Sequence, residues 1–113
     1  MHELSLSINT VDTVVEQAKK QGFKRVTSVT LAIGTLSCIE PQALATGFEF
    51  ASRGTIAADA QLKIESVAAR VWCLDCQQHV TIPERGVSCP RCQGYQLKVE
   101  AGDELMIKHI EVE

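Results

Sequence analysis

Residues 73–92 read CLDCQQHVTIPERGVSCPRC, and their interpretation decides how the rest of the chain is divided. Cys73, Cys76, Cys89 and Cys92 form two C-x₂-C pairs separated by twelve residues. Each pair predicts a tight turn that aims two sulfurs at one point, and the intervening loop folds back to bring the pairs together. Four thiolates at about 2.3 Å in a tetrahedron suit Zn²⁺. Pro90 inside the second turn fixes φ, and Gly94 just after it frees φ. With all four positions filled by sulfur there is no open corner, so such a zinc is structural rather than catalytic. Iron in a rubredoxin-like site is the competing metal. His79, three residues beyond Cys76, is a candidate fifth ligand, although a solvated loop histidine is its default reading.

The chain around this segment has a different texture. Leu4, Ile8, Val11, Val15 and Ala18 recur at steps of four and three, which predicts an amphipathic helix stopped by Gly22. RVTSVTLAIG (25–34) is rich in β-branched residues, with Val29, Leu31 and Ile33 as one apolar face. LSCIEPQALATGFEFASRG (36–54) predicts a loop and a second helix, with Pro41 at its first position and Leu44, Phe48 and Ala51 buried. Glu40 then falls at the N-cap, where Ser, Asp, Asn or Thr would cap better. A longer acid there hints that its carboxylate serves elsewhere.

AQLKIESVAARVW (60–72) reads as another strand whose apolar phase shifts near Ser66, as at a bulge or bend. The closing YQLKVEAGDELMIKHIEVE (95–113) predicts two extended runs around AGDE. The expected fold class is therefore α+β: a small sheet of about three strands with two helices, interrupted by a zinc-ribbon-like module. The expected division is 1–69 together with 97–113 as the α/β domain, and 70–96 as the zinc module.

The bulk composition narrows the function. Of 113 residues, 45% are apolar and 22% charged, enough for one modest core. The net charge of −3 repels a phosphate backbone, and 4% aromatics are too few for base-stacking platforms. No apolar run approaches the roughly 20 residues that span a bilayer, and the N-terminus lacks signal-peptide character. An odd count of 5 cysteines without an export signal points to a reducing cytoplasm and thiolate ligands rather than disulfides. Cys38 is expected to be a small buried hydrophobe. His109 is expected to be a solvated or packed strand histidine. No nucleophile–base order, phosphate-cradling loop or paired-carboxylate motif calls for an enzyme.

The chain start offers a second metal motif. His2 is bulky enough for Met1 to be retained, so its ring lies beside an α-amine with a pKa of about 8. The Met1 amine, the His2 amide nitrogen and His2 Nδ1 can chelate one metal in adjoining rings. An amide nitrogen gives up its proton only to a metal that favours a square nitrogen field, Ni²⁺ or Cu²⁺. Glu3 or Glu40 could fill the remaining corner or support the site from outside. A rival of another class is a zinc-ribbon module that binds nucleic acid or a protein partner, for which Arg70, Arg85, Arg91 and Lys98 are the basic residues.

MHELSL (1–6), LAIGTLSCIEPQAL (31–44), the paired cysteine knuckles and the closing IEVE (110–113) together resemble the HypA/HybF family of hydrogenase nickel-incorporation proteins, with HybF-like members nearest. The resemblance covers essentially the whole chain. It implies a cytoplasmic nickel metallochaperone that serves [NiFe]-hydrogenase maturation. By position, His2 matches the family's nickel ligand with Glu3 in support, and Glu40 matches an acid near the nickel. Cys73, Cys76, Cys89 and Cys92 match the zinc ligands. The partners it implies are a HypB-type GTPase, the hydrogenase large-subunit precursor and, in some members, a second copy of the chain, with no nucleic acid or membrane. In certain relatives a histidine closely follows the knuckle and the zinc changes ligands. Here Gln93 follows Cys92 directly, so no such switching is expected.

Overall fold

A computed structural model describes residues 2–113, with side chains from Glu3 onward. Two helices and two three-stranded sheets are present among the described residues: α1 (His2–Lys20), β1 (Val26–Gly34), α2 (Pro41–Ser52), β2 (Gln61–Val67), β3 (Ala69–Cys73), β4 (Gln78–Ile82), β5 (Leu97–Ala101) and β6 (Leu105–Val112). The α+β expectation holds, with a second sheet added to it. No described helix is long and apolar enough to cross a membrane.

Residues up to Leu31, with Ile39–Glu65 and Ile107–Glu113, form one compact unit, and Ala32–Cys38 with Ser66–Met106 form the other. The sheet that runs through the first unit has the order β2-β1-β6. Glu113 N–H donates to Arg25 O (2.8 Å) and Gly34 N–H donates to Glu104 O (3.0 Å), so β1 and β6 meet at opposite ends and run antiparallel. Val26 N–H donates to Ile56 O (2.9 Å) and Thr35 N–H to Val67 O (2.9 Å), so β1 and β2 run parallel with α2 as their crossover.

α1 has Glu3 in its first turn and Lys19 and Lys20 in its last, matching the helix dipole. It stops at Gly22 (φ 83°), where Phe23 N–H reaches Ala18 O and Gly22 N–H reaches Lys19 O. That pair of bonds needs the left-handed conformation glycine adopts without cost.

The buried stripe of α1 is rotated from the expected one. Ser7, Val11, Val14 and Ala18 are buried, while Leu4 and Ile8 are 51% and 44% exposed. The reason lies in the packing on α2. Ser7 Oγ donates to Leu44 O (2.9 Å), and a Cβ at Gly47 would lie 2.6 Å from Ser7 Oγ. Small residues let the backbones approach, and this turns the larger Leu4 and Ile8 outward. Thr30 and Ser28 on the polar face of β1 are buried as well, with Thr30 Oγ1 3.3 Å from His109 Nε2.

In the second unit the sheet order is β4-β3-β5, antiparallel throughout. The phase shift near Ser66 marks not a bulge in one strand but a change of sheet, with β2 and β3 separated at Ala68. The runs flanking AGDE likewise part company, since β5 pairs with β3 and β6 with β1. Gly102 (φ 92°) makes that corner, and a Cβ there would lie 2.6 Å from Ala69 Cα. A Cβ on Gly34 would come within 2.1 Å of the Gly102 carbonyl group. Leu36, Ala69, Val71, Val80, Ile82, Cys73 and Cys89 form one small apolar cluster.

Candidate metal centre

The first knuckle is the hairpin turn between β3 and β4. Cys73 is the last residue of β3, paired opposite Gln78. Gln77 N–H closes the turn on Cys73 O at 2.8 Å, and Cys76 N–H approaches Cys73 Sγ at 3.4 Å. The second knuckle, between β4 and β5, repeats this arrangement: Gln93 N–H donates to Cys89 O at 2.9 Å and Arg91 N–H approaches Cys89 Sγ at 3.4 Å.

In each knuckle the residue after the second cysteine is left-handed, Gln77 at φ 54° and Gln93 at φ 64°. The left-handed residue of the second turn is thus Gln93, not the expected Gly94. A Cβ on Gly94 would sit 3.3 Å from Cys92 Sγ and 2.6 Å from Asp75 Oδ2, an exposed carboxylate that would have to swing aside.

The four sulfurs lie within 4.8 Å of one another. Cys73 and Cys92 Sγ are 3.7 Å apart, and Cys76 and Cys89 Sγ are 3.9 Å apart. An S–S bond is about 2 Å, so these are free thiols, whereas a tetrahedral ion with bonds of about 2.3 Å separates its sulfurs by about 3.8 Å. The donor set fits a thiophilic, four-coordinate ion of zinc's size. Cys73 and Cys89 are fully buried, so two of the ligands are also members of the apolar cluster.

Electrostatics point the same way. Cys89 is lowered to about 7, chiefly by the backbone N–H of Cys92 and then by that of Arg91, working against burial. Cys76 is pushed up to about 12 by its contact with the Cys92 thiol, by burial and by the Cys73 and Cys89 thiols. Cys92 is also raised: the Gly94 N–H and the Cys76 thiol favour its anion, but burial and the Cys73 and Cys89 thiols outweigh them. Without a cation this pocket keeps protons on some of its sulfurs, and a divalent ion would displace them.

The remaining candidates fall elsewhere. His79 is not a solvated loop residue: it lies on β4 opposite Trp72, with ring centroids 4.9 Å apart. Its Nδ1 accepts from Arg70 Nη2 at 3.0 Å, which places its proton on Nε2, facing Glu100 Oε1. Both ring nitrogens are therefore engaged on the exposed sheet face. Cys38 is exposed, not buried, and left-handed at φ 60°.

The Met1 amine and the His2 side chain lie outside the described residues, but α1 begins at His2. Glu3 and Glu40 do come together: Glu40 N–H donates to Glu3 Oε2 at 3.1 Å. Glu40 is the N-cap of α2, as expected, yet its carboxylate is engaged locally, with Oε2 accepting from Ala43 N–H at 2.8 Å. The added length of glutamate is taken up by that capping bond.

The fold and the four-sulfur centre define a small α+β metal-binding protein. The chain belongs to the HypA/HybF family. It matches the family described as hydrogenase/urease nickel incorporation, metallochaperone, HypA over residues 1–112. It is 46% identical to hydrogenase maturation factor HypA of Aeromonas salmonicida over 99% of both chains. It is 45% identical to hydrogenase maturation factor HybF of Escherichia coli over 100% of both chains. A solution structure of a HypA protein shares the fold with a TM-score of 0.75 at 23% identity, covering 99% of this chain and 96% of that one. The solution structure of the nickel metallochaperone HypA from Helicobacter pylori has a TM-score of 0.68 at 22% identity over 97% and 96%. These relatives are named as maturation factors and metallochaperones, not as enzymes.

Proposed function

We propose that this protein is a nickel carrier of the cytoplasm that binds Ni²⁺ at its N-terminus and releases it for [NiFe]-hydrogenase maturation. The Met1 amine, the His2 amide nitrogen and His2 Nδ1 would take three corners of a square, with Glu3 and Glu40 as the nearby acids. The observation that carries this reading is that α1 begins at His2. The first N–H groups of a helix have no intrahelical acceptor, so the His2 amide can lose its proton to a metal without breaking the helical ladder. A few nitrogen ligands at a chain end, with one corner exchangeable, hold nickel yet pass it by ligand exchange to a deeper site.

Zinc at Cys73, Cys76, Cys89 and Cys92 would hold the second unit together. A closed sulfur tetrahedron with two buried ligands has no corner through which to exchange. The division of labour is therefore release at the chain start and retention at the knuckles. Membership of the family supports a HypB-type GTPase and the hydrogenase large-subunit precursor as partners, with a second copy of the chain as a further one.

The test is metal analysis of untagged protein after nickel exposure and desalting. One tightly held zinc and one removable nickel per chain are expected. His2→Ala should lose the nickel while keeping the zinc, and an N-terminal extension that blocks the amine should weaken nickel binding. Equal nickel uptake by all three proteins refutes the assignment.

A further inference from the structure

The β4-β3-β5 unit carries a cleft of about 190 Å³ that the sulfur centre does not use. Its apolar lining is Ile82 at the end of β4, Val87 from the loop that follows, and Leu97 and Val99 from β5. Ile82 belongs to the buried cluster, and Val87, Leu97 and Val99 pack against that cluster half-buried. The core therefore fixes these side chains while part of each stays accessible. Two exposed residues complete the lining, Arg85 shortly before the second knuckle and Tyr95 just after it, the latter 74% exposed. The Tyr95 side is braced by backbone bonds: Cys89 N–H donates to Gly94 O at 2.7 Å and Leu97 N–H to Tyr95 O at 3.0 Å. Arg25, Arg53 and Arg70 are engaged by Glu113, Glu49 and His79, whereas Arg85 has no ion pair or side-chain hydrogen bond among the described residues. Glu84, its neighbour in sequence, is not part of the lining.

Size and chemistry select the occupant. Small-molecule sites begin at roughly 300 Å³, so this cleft suits one large side chain rather than a cofactor. The apolar lining takes an aliphatic or aromatic group, and an unpaired guanidinium beside it takes a carboxylate through two parallel N–H bonds. Tyr and Arg beside an apolar pocket are also residue types that carry much of the binding energy at protein interfaces. β5 bonds to β3 on one side only, and the other edge of such a strand is a template for an extended chain. A strand laid there would point alternate side chains to the face that bears Leu97 and Val99.

We propose that this cleft docks an extended segment of a partner protein along β5, with one large apolar side chain on Val87, Leu97 and Val99 and a neighbouring Asp or Glu carboxylate on Arg85. Tyr95 forms the outer wall against the apolar group. The contact is separate from the nickel reading and stands or falls without it.

The probe is a phage-displayed library of random heptapeptides, panned on zinc-loaded full-length protein and, in parallel, on a variant carrying both Arg85→Gln and Tyr95→Ala. Peptides enriched on wild type alone should pair a Leu, Ile, Met or Phe with an Asp or Glu one or two positions away. The best of them are labelled and titrated by fluorescence anisotropy. Arg85→Gln should weaken binding about tenfold, the scale of one lost charge-assisted hydrogen bond, and changing the peptide's acid to its amide should do the same on wild-type protein. The two changes together should cost little more than either, because they remove one shared contact. Tyr95→Ala should cost about tenfold as well. Both side chains are exposed, so zinc content and circular dichroism should stay at wild-type values, and the peptide changes test the same contact without altering the protein.

No enrichment on wild type over the double variant overturns the proposal, as do selected peptides that bind Arg85→Gln as tightly as wild type. Sedimentation velocity decides the competing occupant: a wild-type dimer that Tyr95→Ala converts to monomer means that a second copy covers the cleft, and the partner segment is then refuted.

Discussion

At the knuckles, two of four sulfurs are fully buried, each turn is closed by a backbone hydrogen bond, and the apolar cluster of the unit is built around them. At the start of α1, Leu4 and Ile8 face outward and the first two turns are held to the neighbouring segment by one carboxylate and one hydroxyl. One region makes its sulfur donors part of a core, so removing a bound metal there should loosen that core. The other places its proposed donors on a helix end, where loss of metal costs only local order. On the proposed assignment, the depth of the donors, more than their number, would separate a retained metal from a transferable one.

The sharpest way to break this comparison is at Cys89, which is both a sulfur donor and a core residue. Cys89→Ser should abolish zinc retention and unfold the β4-β3-β5 unit, with its amide hydrogen-exchange protection lost, while the helices keep theirs. Retained protection in that sheet would mean that its small core stands without metal.

Gly34→Ala tests whether packing alone can do equal damage with the sulfurs intact. The new methyl would overlap the Gly102 carbonyl at 2.1 Å, and backbone there cannot yield easily. A destabilisation of about 3 kcal/mol or more is expected in chemical denaturation, at the upper end of overpacking effects.

Acid should part the two regions by metal. Cys76 and Cys92 are raised and hold protons at neutral pH, so zinc must displace at least these two. Zinc affinity should therefore fall as pH falls, by at least about a hundredfold per unit near pH 8, each displaced proton costing about tenfold. The slope should steepen below about 7 as Cys89 also takes up a proton. Competition with a calibrated chelator across pH 6–9 (roughly the range in which these thiols compete with metal) measures it. A pH-independent zinc affinity would contradict the proton-bearing cluster.

The smallest effect concerns the turns themselves. Gln77→Gly and Gln93→Gly each relieve a side chain held at positive φ and should stabilise the zinc-loaded protein by up to about 1 kcal/mol. Thermal unfolding of the two single variants checks it, and any destabilisation would show that a glutamine side chain contributes a contact of its own.

Much of this was legible in the residue string, and the failures have particular causes. The cysteine spacing announced the knuckles because a C-x₂-C turn is local, and Pro41 after Glu40 marked the start of α2 for the same reason. The face of α1 was misjudged because periodicity counts greasy residues, whereas Ser7 against Gly47 decides which face can come closest. The phase shift near Ser66 was visible, but a bulge and a change of sheet look alike until partners are known. His79 reads as a loop residue because Arg70 and Glu100, on neighbouring strands, reach it only when β3, β4 and β5 align.

The sequence by itself determined the four-sulfur cluster and the helix boundaries, since each depends on neighbours a few bonds away. Only the tertiary structure decided that Cys73 and Cys89 are core residues, that β2 and β3 serve different sheets, and that Glu3 grips the Glu40 amide. Those facts depend on which backbone atoms approach from segments beyond the reach of local propensity, and that is fixed by excluded volume and hydrogen-bond geometry in the folded chain.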